Sequence, residues 1–558
     1  MDNSGTEKFG LSHASNIDGE LFCSISFNFH DSSASFAFGR NICLVLEAER
    51  VFREKKKACA VDEMEYLVRY GLNILGESIE SVKYWSMTTF NNPFLQEADI
   101  IDYGEQTLKT AFWKEINFFG LRRNVLITNH HLSHAGIYLT TGIENVLIVT
   151  SDGGGDVDPL TKMNECNSYY LGRGNSITRL NIDLAGHISG KTYGACAMFL
   201  YGAELHSHNP PDGKMMALAG LGKVRVEYYD VLEQIYREIE IAKYEDIYQI
   251  FESSPLRILK GQALRPTNSA TDFAATVQEF FVNHKMDDIS SVIDQHAKNV
   301  DGIIMSGGVG LNLELNSRVA GFYKDKIHFV APCCDDSGQS LGSLSILINN
   351  VLGGRIGARF PYLGEGVHVY EYSSETIEKC IEILLSDGIL LVHNGRSEVG
   401  PRALGNRSFI ARPDSKKVRD LLSERIKERE SYRPLAPIVL ESKLNEYFTG
   451  PAKSPFMLYK YEVKSEVQSK IPGALHVDGS ARVQTITKED NPFLCDLISL
   501  FFHKTGIALL LNTSLNFKGM PLTNSLEDTI SLYEKINYTK GLIYNGKLLK
   551  SEIIKGND

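Results

Sequence analysis

Val146-Leu147-Ile148-Val149-Thr150 runs without interruption into Ser151-Asp152-Gly153-Gly154-Gly155-Asp156. An apolar, β-branched run of that length reads as a buried strand, and the carboxylate and three glycines after it read as a tight loop whose backbone can approach a ligand. The same order recurs at Gly302–Met305, followed by Ser306-Gly307-Gly308-Val309-Gly310, and at Leu21–Phe29, which ends in Asn28-Phe29-His30-Asp31-Ser32-Ser33. Helical stretches at Asp62–Gly76 and Ala274–Lys298 lie between such strands. Strands that discharge into Gly, Asp and Ser loops, separated by helices, predict an α/β architecture with ligands at the carboxyl ends of strands.

Working outward, Leu21–Phe29 and Ile42–Glu49 read as a hairpin with the turn Gly39-Arg40-Asn41 before its second strand. Asn124–Thr128 reads as a short strand leading into His130. The stretch Gly353-Gly354-Arg355-Ile356-Gly357-Ala358-Arg359-Phe360-Pro361, with Gly364–Gly366 soon after, reads as a linker. It places a boundary near 355–370 and divides the chain into 1–360 and 361–558. Beyond it the pattern predicts helix Ser374–Leu385, strand Ile389–His393, helix Val418–Glu430 and strand Ile507–Leu511. No short repeat is evident.

Composition narrows the class. The 558 residues carry 58 Lys+Arg against 69 Asp+Glu, a net charge of −11, which disfavours sequence-blind binding of nucleic acid. Nine scattered cysteines without a C-x-x-C form neither a disulfide framework nor a zinc finger, and they read as buried thiols of a reducing compartment. Met1 to Gly19 is polar and has no apolar core of a secretory signal, and no apolar run nears the roughly 20 residues of a membrane helix. A cytoplasmic protein is expected.

His130 and His134 stand four apart in Asn129-His130-His131-Leu132-Ser133-His134-Ala135, which puts both imidazoles on one face if the segment is helical. Such a pair can hold a divalent metal, with Asp152 and Asp335 or Asp336 as oxygen ligands; helix-capping or surface histidines would show the same spacing. Mixed imidazole and carboxylate donors suit Fe(II), Mn(II) or Zn(II) better than calcium. The loops at His30–Ser33, Asp152–Gly155 and Gly307–Gly310 can present backbone N–H groups to phosphate, although tight turns alone would explain them. Asn312 and Asn316 follow at helical spacing, either flanking a nucleotide or facing solvent. Lys214, in Asp212-Gly213-Lys214-Met215-Met216, either meets phosphate or is solvated.

Eight arginines crowd positions 396–433. Arg419 and Arg425 share a charged helix with Asp420 and Glu424 and read as exposed ion pairs. Arg402 and Arg407, in Gly400-Pro401-Arg402-Ala403-Leu404-Gly405-Asn406-Arg407-Ser408, and Arg433, in Tyr432-Arg433-Pro434, sit among rigid turn residues that suit bidentate oxyanion recognition. Arg482 follows His476-Val477-Asp478-Gly479-Ser480-Ala481, and Asn512-Thr513-Ser514-Leu515-Asn516 follows a strand. Together these make a candidate phosphate pocket. There is no G-x-S-x-G and no cysteine with an evident histidine partner, which fits a transfer in which the protein supplies position and charge.

The segments from His30-Asp31-Ser32-Ser33 to Asn512–Pro521 resemble the O-carbamoyltransferases of antibiotic biosynthesis and nodulation-factor modification (the tobramycin, cephamycin and nodulation carbamoyltransferases), over nearly the whole chain. The resemblance implies an N-terminal domain similar to the TsaD-like, actin/hexokinase-type ATPase fold and a C-terminal domain similar to the YrdC-like fold. It implies that carbamoyl phosphate and ATP give carbamoyladenylate, whose carbamoyl group passes to a hydroxyl of a small molecule, in secondary metabolite biosynthesis. It further implies that His130, His134, Asp152 and Asp336 hold a metal, commonly iron (Mn, Zn and Mg being the alternatives), and that the nucleotide site uses Asp31, Ser32, Gly153, Gly154, Lys214, Gly307, Gly308 and Asn312. Arg402, Lys427, Arg433, Arg482 and Ser514 would bind carbamoyl phosphate.

The chain departs from the family pattern at Ser32, in Asp212–Ala219, at Arg412 and in Gly153–Gly155, none of which removes an implied ligand. Transfer to a macromolecule, and a regulatory protein that binds nucleotide or metal without catalysis, are the alternatives. The acceptor and the oligomeric state are not encoded in any recognised motif; the loops Phe90–Phe118 and Tyr228–Leu264 are where acceptor selectivity is expected.

Overall fold

The computed structural model describes residues 19–95, 111–157, 164–203 and 210–549. The segment Met1–Asp18 and residues 96–110 of the expected selectivity loop lie outside these. The first sheet contains β1 (Leu21–Ser26), β2 (Ser33–Phe38), β3 (Asn41–Glu47), β4 (Val82–Thr88), β5 (Phe112–Phe118) and β6 (Leu121–Thr128) in the order β3-β2-β1-β4-β6-β5. β1, β2 and β3 form an antiparallel meander, and β4 and β6 add in parallel to β1. The expected two-stranded hairpin is thus corrected to three strands. The extra one, Ser-Ala-Ser-Phe-Ala-Phe, reads as loop because its small polar residues lack the usual apolar signal. Of its hydroxyls, Ser35 Oγ lies 2.7 Å from Ser340 Oγ, while Ser33 Oγ has no hydrogen-bond partner among the described residues; in the neighbouring β1, Ser26 Oγ lies 3.0 Å from Thr88 Oγ1. Helix α1 (Val61–Leu75) crosses between β3 and β4 and stops at Gly76, whose φ is +72°.

Helix α2 (His130–Gly136) follows β6. The second sheet contains β7 (Asn145–Ser151), β8 (Asn167–Arg173), β9 (Ser176–Arg179), β10 (Gly302–Ser306) and β11 (Ile327–Val330), in the order β11-β10-β7-β8-β9. It repeats the first sheet's topology, an antiparallel meander followed by two parallel strands. This duplicated α/β arrangement agrees with the expected actin/hexokinase-type fold. Helices α3 (Gly190–Tyr201), α4 (Asp212–Ala219), α5 (Asn268–His296) and α6 (Leu313–Phe322) lie between β9 and β11 in the chain, and the long α5 packs against the other three.

Helix α7 (Gln339–Leu352) lies on β1, β2 and β4 and against α2, which itself contacts β7 and β8. The two helices therefore fill the space between the sheets. They meet backbone to backbone: a Cβ at Gly342 would stand 1.8 Å from the Ser133 carbonyl oxygen. This close approach brings the N-terminus of α7 beside the histidines of α2.

Beyond the Gly- and Arg-rich stretch come α8 (Ser374–Leu385), β12 (Ile389–His393), β13 (Arg407–Ala411), α9 (Lys416–Asp420) and β14 (Ala436–Leu440). Strands β15 (Phe448–Thr449), β16 (Lys460–Val463) and β17 (Ser480–Arg482) form a small sheet. β18 (Gln484–Ile486), β19 (Leu509–Ser514), β20 (Lys540–Tyr544) and β21 (Lys547–Leu549) complete a seven-stranded mixed sheet, ordered β18-β14-β19-β13-β12-β20-β21. The helix expected over Val418–Glu430 is shorter. It widens into a π-turn at Leu421–Ile426 and ends near Glu428, whose φ is +45°, so Arg429 and Glu430 lie in the following loop. The strand expected at Ile507–Leu511 extends instead to Ser514. No helix among the described residues is long and apolar enough to cross a membrane.

Candidate active site

The carboxyl ends of β1, β7 and β10 open on one cleft of about 450 Å³, lined among others by Asp31, Asp152, Gly153, Gly154, Gly308, Asn312 and Asp336. Behind Asp152 and Asp336, which line it, α2 carries both histidines. Asn129 caps that helix, accepting from the Leu132 N–H at 2.9 Å, and donates to Asp156 and Glu165, each at 2.9 Å. Asp156 also accepts from the His130 N–H at 2.8 Å, and burial pushes its carboxyl up to about 6.

His134 Nε2 lies 3.2 Å from Asp336 Oδ1 and 3.4 Å from Asp152 Oδ2, and His130 Nε2 lies 3.5 Å from Asp336 Oδ1. Donor atoms of these four residues all fall within 4.8 Å of one another. Both imidazoles are fully buried, which removes the capping and surface alternatives. Against the opposing pull of burial, Asp152 and Asp336 hold His134 at about 9. Likewise against burial, His130 and then His134 hold Asp336 far below the carboxylate range. Two imidazoles and two carboxylates converging in a buried pocket fit a divalent transition metal. Asp335 does not join them: its Oδ1 accepts from Ser337 Oγ, and burial pushes it up to about 6. Sequence reasoning missed Gln339, whose Nε2 lies 2.7 Å from His130 Nδ1 and 3.1 Å from Asp336 Oδ1. Only the packing of α7 on α2 reveals it.

The nucleotide candidates divide. Gly308 donates its N–H to Asp152 Oδ2 at 2.9 Å, joining the β7 and β10 loops, and Gly153 and Gly154 line the cleft. Gly307, with φ +81°, turns the chain from β10 into that loop. Asn312 caps α6 through the Leu315 N–H at 3.2 Å and accepts from Gln278 Nε2 at 3.0 Å, while still lining the cleft. Asn316 faces inward, not a ligand, and donates to the carbonyls of Gly310 and Leu458 at 2.7 and 2.9 Å. Asp31 lines the cleft beside His30, 2.9 Å away. Ser32 is turned inward, donating to the Phe27 carbonyl and accepting from the Cys59 N–H. Lys214 lies 3.1 Å from Glu430 and so faces the arginine-rich loop. The missed cation of this cleft is Lys56, which faces Asp31, Asp335, Asp212 and Asp336 and is held above its ordinary value by them against burial. Its place in a run of charged residues, Glu54-Lys55-Lys56-Lys57, reads as solvated surface.

The second focus is cationic. Burial, with Arg402, Arg429 and Arg433 close by, pushes Arg482 far below its ordinary value, and no carboxylate among the described residues offsets this. Burial, then Arg433 and Arg402, brings Arg429 down to about 9. A guanidinium keeps its proton at neutral pH, so these shifts mean charges held in an enclosed place, first by burial and then beside one another. The buried Nε atoms of Arg402 and Arg482 have no hydrogen-bond partner among the described residues. Lys427, 2% exposed, donates to the carbonyl of Ser514 at 2.7 Å and to Ser514 Oγ at 3.1 Å. Arg429, which no motif marks, joins the cluster and donates to Thr513 Oγ1 at 3.0 Å and Ser514 Oγ at 3.3 Å. Arg433 lies 3.7 Å from Glu430. Clustered, largely enclosed cations of this kind suit an anionic ligand.

Other arginines are corrected. Arg407 is fully buried and spends its fork on the carbonyls of Asn394, Gly395, Asn406 and Glu365, which ties the loop together. Arg396 binds the carbonyls of Gly364 and Leu363. Arg412 pairs with Asp414 and Asp387, which explains why a cation is accepted there. Arg419 pairs with Asp420 as expected, whereas Arg425 donates to Tyr538. Arg402 joins the two foci, because it also lines the cleft beside Asp335 and Asp336.

Residues 22–344 match the family described as Carbamoyltransferase N-terminus, and residues 381–550 match Carbamoyltransferase C-terminus. The chain belongs to the carbamoyltransferase family. Nodulation protein NolNO of Sinorhizobium fredii is 26% identical to this carbamoyltransferase over 573 residues, covering 95% of this chain and 80% of the relative. The 3'-hydroxymethylcephem-O-carbamoyltransferase of Amycolatopsis lactamdurans is 27% identical over 536 residues, covering 90% and 94%. That of Streptomyces clavuligerus is 30% identical over 451 residues, covering 77% and 80%.

Proposed function

We propose that this carbamoyltransferase is an ATP-dependent O-carbamoyltransferase that forms carbamoyladenylate from carbamoyl phosphate and ATP and passes the carbamoyl group to a hydroxyl of a small molecule. The observation that carries the reading is a set of cations with no ion pair within 4 Å among the described residues, buried Lys427 and half-buried Arg402, Arg429 and Arg482, reaching through Arg402 into the cleft that Asp152 and Asp336 line. The relatives named as cephem O-carbamoyltransferases support a small alcohol as acceptor.

In this reading residues 1–360 bind nucleotide and metal and residues 361–558 bind carbamoyl phosphate. Arg402, Arg433 and Arg482 neutralise the donor's phosphate, with Lys427 and Ser514 fixing its orientation. The donor's P–O bond opens, its phosphoryl group passes to water as inorganic phosphate, and carbamate remains. A carbamate oxygen then displaces pyrophosphate from the α-phosphorus of ATP, giving the mixed anhydride. The acceptor's oxygen attacks the carbonyl, AMP leaves, and the hydroxyl proton passes to solvent or a cleft carboxylate. The backbone of Gly153, Gly154 and Gly308 cradles nucleotide phosphates, and Lys56 adds a cation to them. A divalent ion held by His130, His134, Asp152 and Asp336 would supply further positive charge to those phosphates. Enclosure of the cations keeps water from the anhydride.

The test is pyrophosphate release from ATP with and without carbamoyl phosphate. Release that requires carbamoyl phosphate supports the proposal; release indifferent to it, or none, refutes it.

A further inference from the structure

Arg402 belongs to none of the four sheets. It sits two residues after Gly400, in a loop whose position decides whether its guanidinium faces the cleft. That loop is gripped by residues some 350 positions away in the sequence. Glu47, the last residue of β3, accepts from the Gly400 N–H at 2.6 Å. Arg50 donates to the Gly400 carbonyl at 2.6 Å and to the Glu398 carbonyl. Glu47 and Arg50 pair with each other at 3.0 Å and are 5% and 4% exposed. Gly400 has no room to move the other way, since its φ is +89° and a Cβ there would stand 2.0 Å from the Pro332 carbonyl oxygen. Pro332 leads directly to Cys333-Cys334-Asp335-Asp336. One short seam thus touches the loop of Arg402 on one side and the strand end that carries Asp336 on the other.

Within the loop, Glu398 is fully buried and its Oε1 accepts from the N–H groups of Leu404, Asn406 and Arg407 at 2.7, 2.7 and 3.2 Å. The loop is therefore internally rigid. Its placement relative to the cleft depends on the grip at Gly400, which binds both polar groups of a single peptide residue. We infer that the Glu47–Arg50 pair is a positioning device that sets Arg402 against the Asp336 cluster, so that donor binding and the nucleotide cleft share one geometry. Neither side chain lines the cleft near the reacting atoms or belongs to the cationic set. The inference rests on the proposed function for its kinetic readout and on phosphate binding alone for an independent one.

Two variants test it, Arg50→Lys, which keeps one charge but loses the fork, and Glu47→Gln, which keeps an acceptor for the Gly400 N–H but replaces the carboxyl group that faces Arg50 Nε by an amide. Inorganic phosphate binding by calorimetry is compared with KM for carbamoyl phosphate, KM for ATP and metal content. The expected result is a fivefold or greater weakening of phosphate binding and a matching rise in KM for carbamoyl phosphate, with KM for ATP within twofold and metal content unchanged. A double variant no worse than the weaker single variant is expected, because the pair acts as one unit. Unchanged phosphate binding in both variants overturns the inference, and so does an equal loss of ATP affinity, which marks general unfolding. If Arg50→Lys melts early, Glu47→Gln decides. A wild-type protein that binds phosphate but releases no carbamoyl-phosphate-dependent pyrophosphate would refute the proposed function while leaving the positioning test intact.

Discussion

The Nζ of Lys427 lies 2.7 Å from the carbonyl oxygen of Ser514, at the end of β19. Burial first, then Arg429, Arg433 and Lys55, hold this ammonium well below its ordinary value of 10.5. A cation depressed in the folded state binds fewer protons folded than unfolded over the interval between its two pKa values, so folding stability rises as pH climbs through that interval. In anion-free buffer, the unfolding free energy of the wild type should increase toward alkaline pH relative to that of Lys427→Met. Parallel curves would remove Lys427 as the source.

Arg482→Ala should lower carbamoyl-phosphate-dependent pyrophosphate release by about 100-fold or more, the size associated with losing one donor to developing charge. Metal content should stay at the wild-type level, because Arg482 is outside the His/Asp cluster. Wild-type release would contradict its assignment.

His130→Ala should abolish stoichiometric metal and carbamoyl transfer together, as measured by elemental analysis alongside the assay. Full metal occupancy would contradict the ligand set of His130, His134, Asp152 and Asp336.

Gly342→Ala should destabilise the protein by about 1–3 kcal/mol, since the added Cβ forces apart two backbones that leave it no volume. The Cβ would meet the Ser133 carbonyl 1.8 Å away. Thermal unfolding measures this, and an unaltered midpoint would show that α2 and α7 separate freely.

Lys56→Met should raise KM for ATP more than KM for carbamoyl phosphate, since Lys56 faces Asp31, Asp212, Asp335 and Asp336 in the cleft. Equal rises would place it at the cationic focus instead.

The strand ends at Asp152 and Gly307 were legible because a buried run followed by Gly and Asp has few other readings, and His130 and His134 were legible because their spacing matches one helical turn. What stayed hidden depends on long-range packing. Ser33–Phe38 has the composition of a loop, and its pairing with β1 and β3 and the contact of Ser35 with Ser340 of α7 show only in the assembled fold. Gln339 and Lys56 carry no pattern of their own, and each reaches the cleft only when distant segments meet. Arg407 and Arg402 share one Gly-rich loop, yet one fork ties backbone carbonyls and the other lines the cleft; spacing cannot distinguish a guanidinium that holds its own loop from one that awaits an anion. Spacing alone extends the helix to Glu430, because the π-turn at Leu421–Ile426 keeps helical periodicity up to the point where it releases Arg429.

The most direct test of the central claim is a stoichiometric assay with carbamoyl-labelled carbamoyl phosphate and ATP in the absence of acceptor. The account requires one pyrophosphate for each labelled carbamoyl group that becomes bound to AMP. Label that stays on carbamoyl phosphate, or ATP cleaved to ADP, would contradict it.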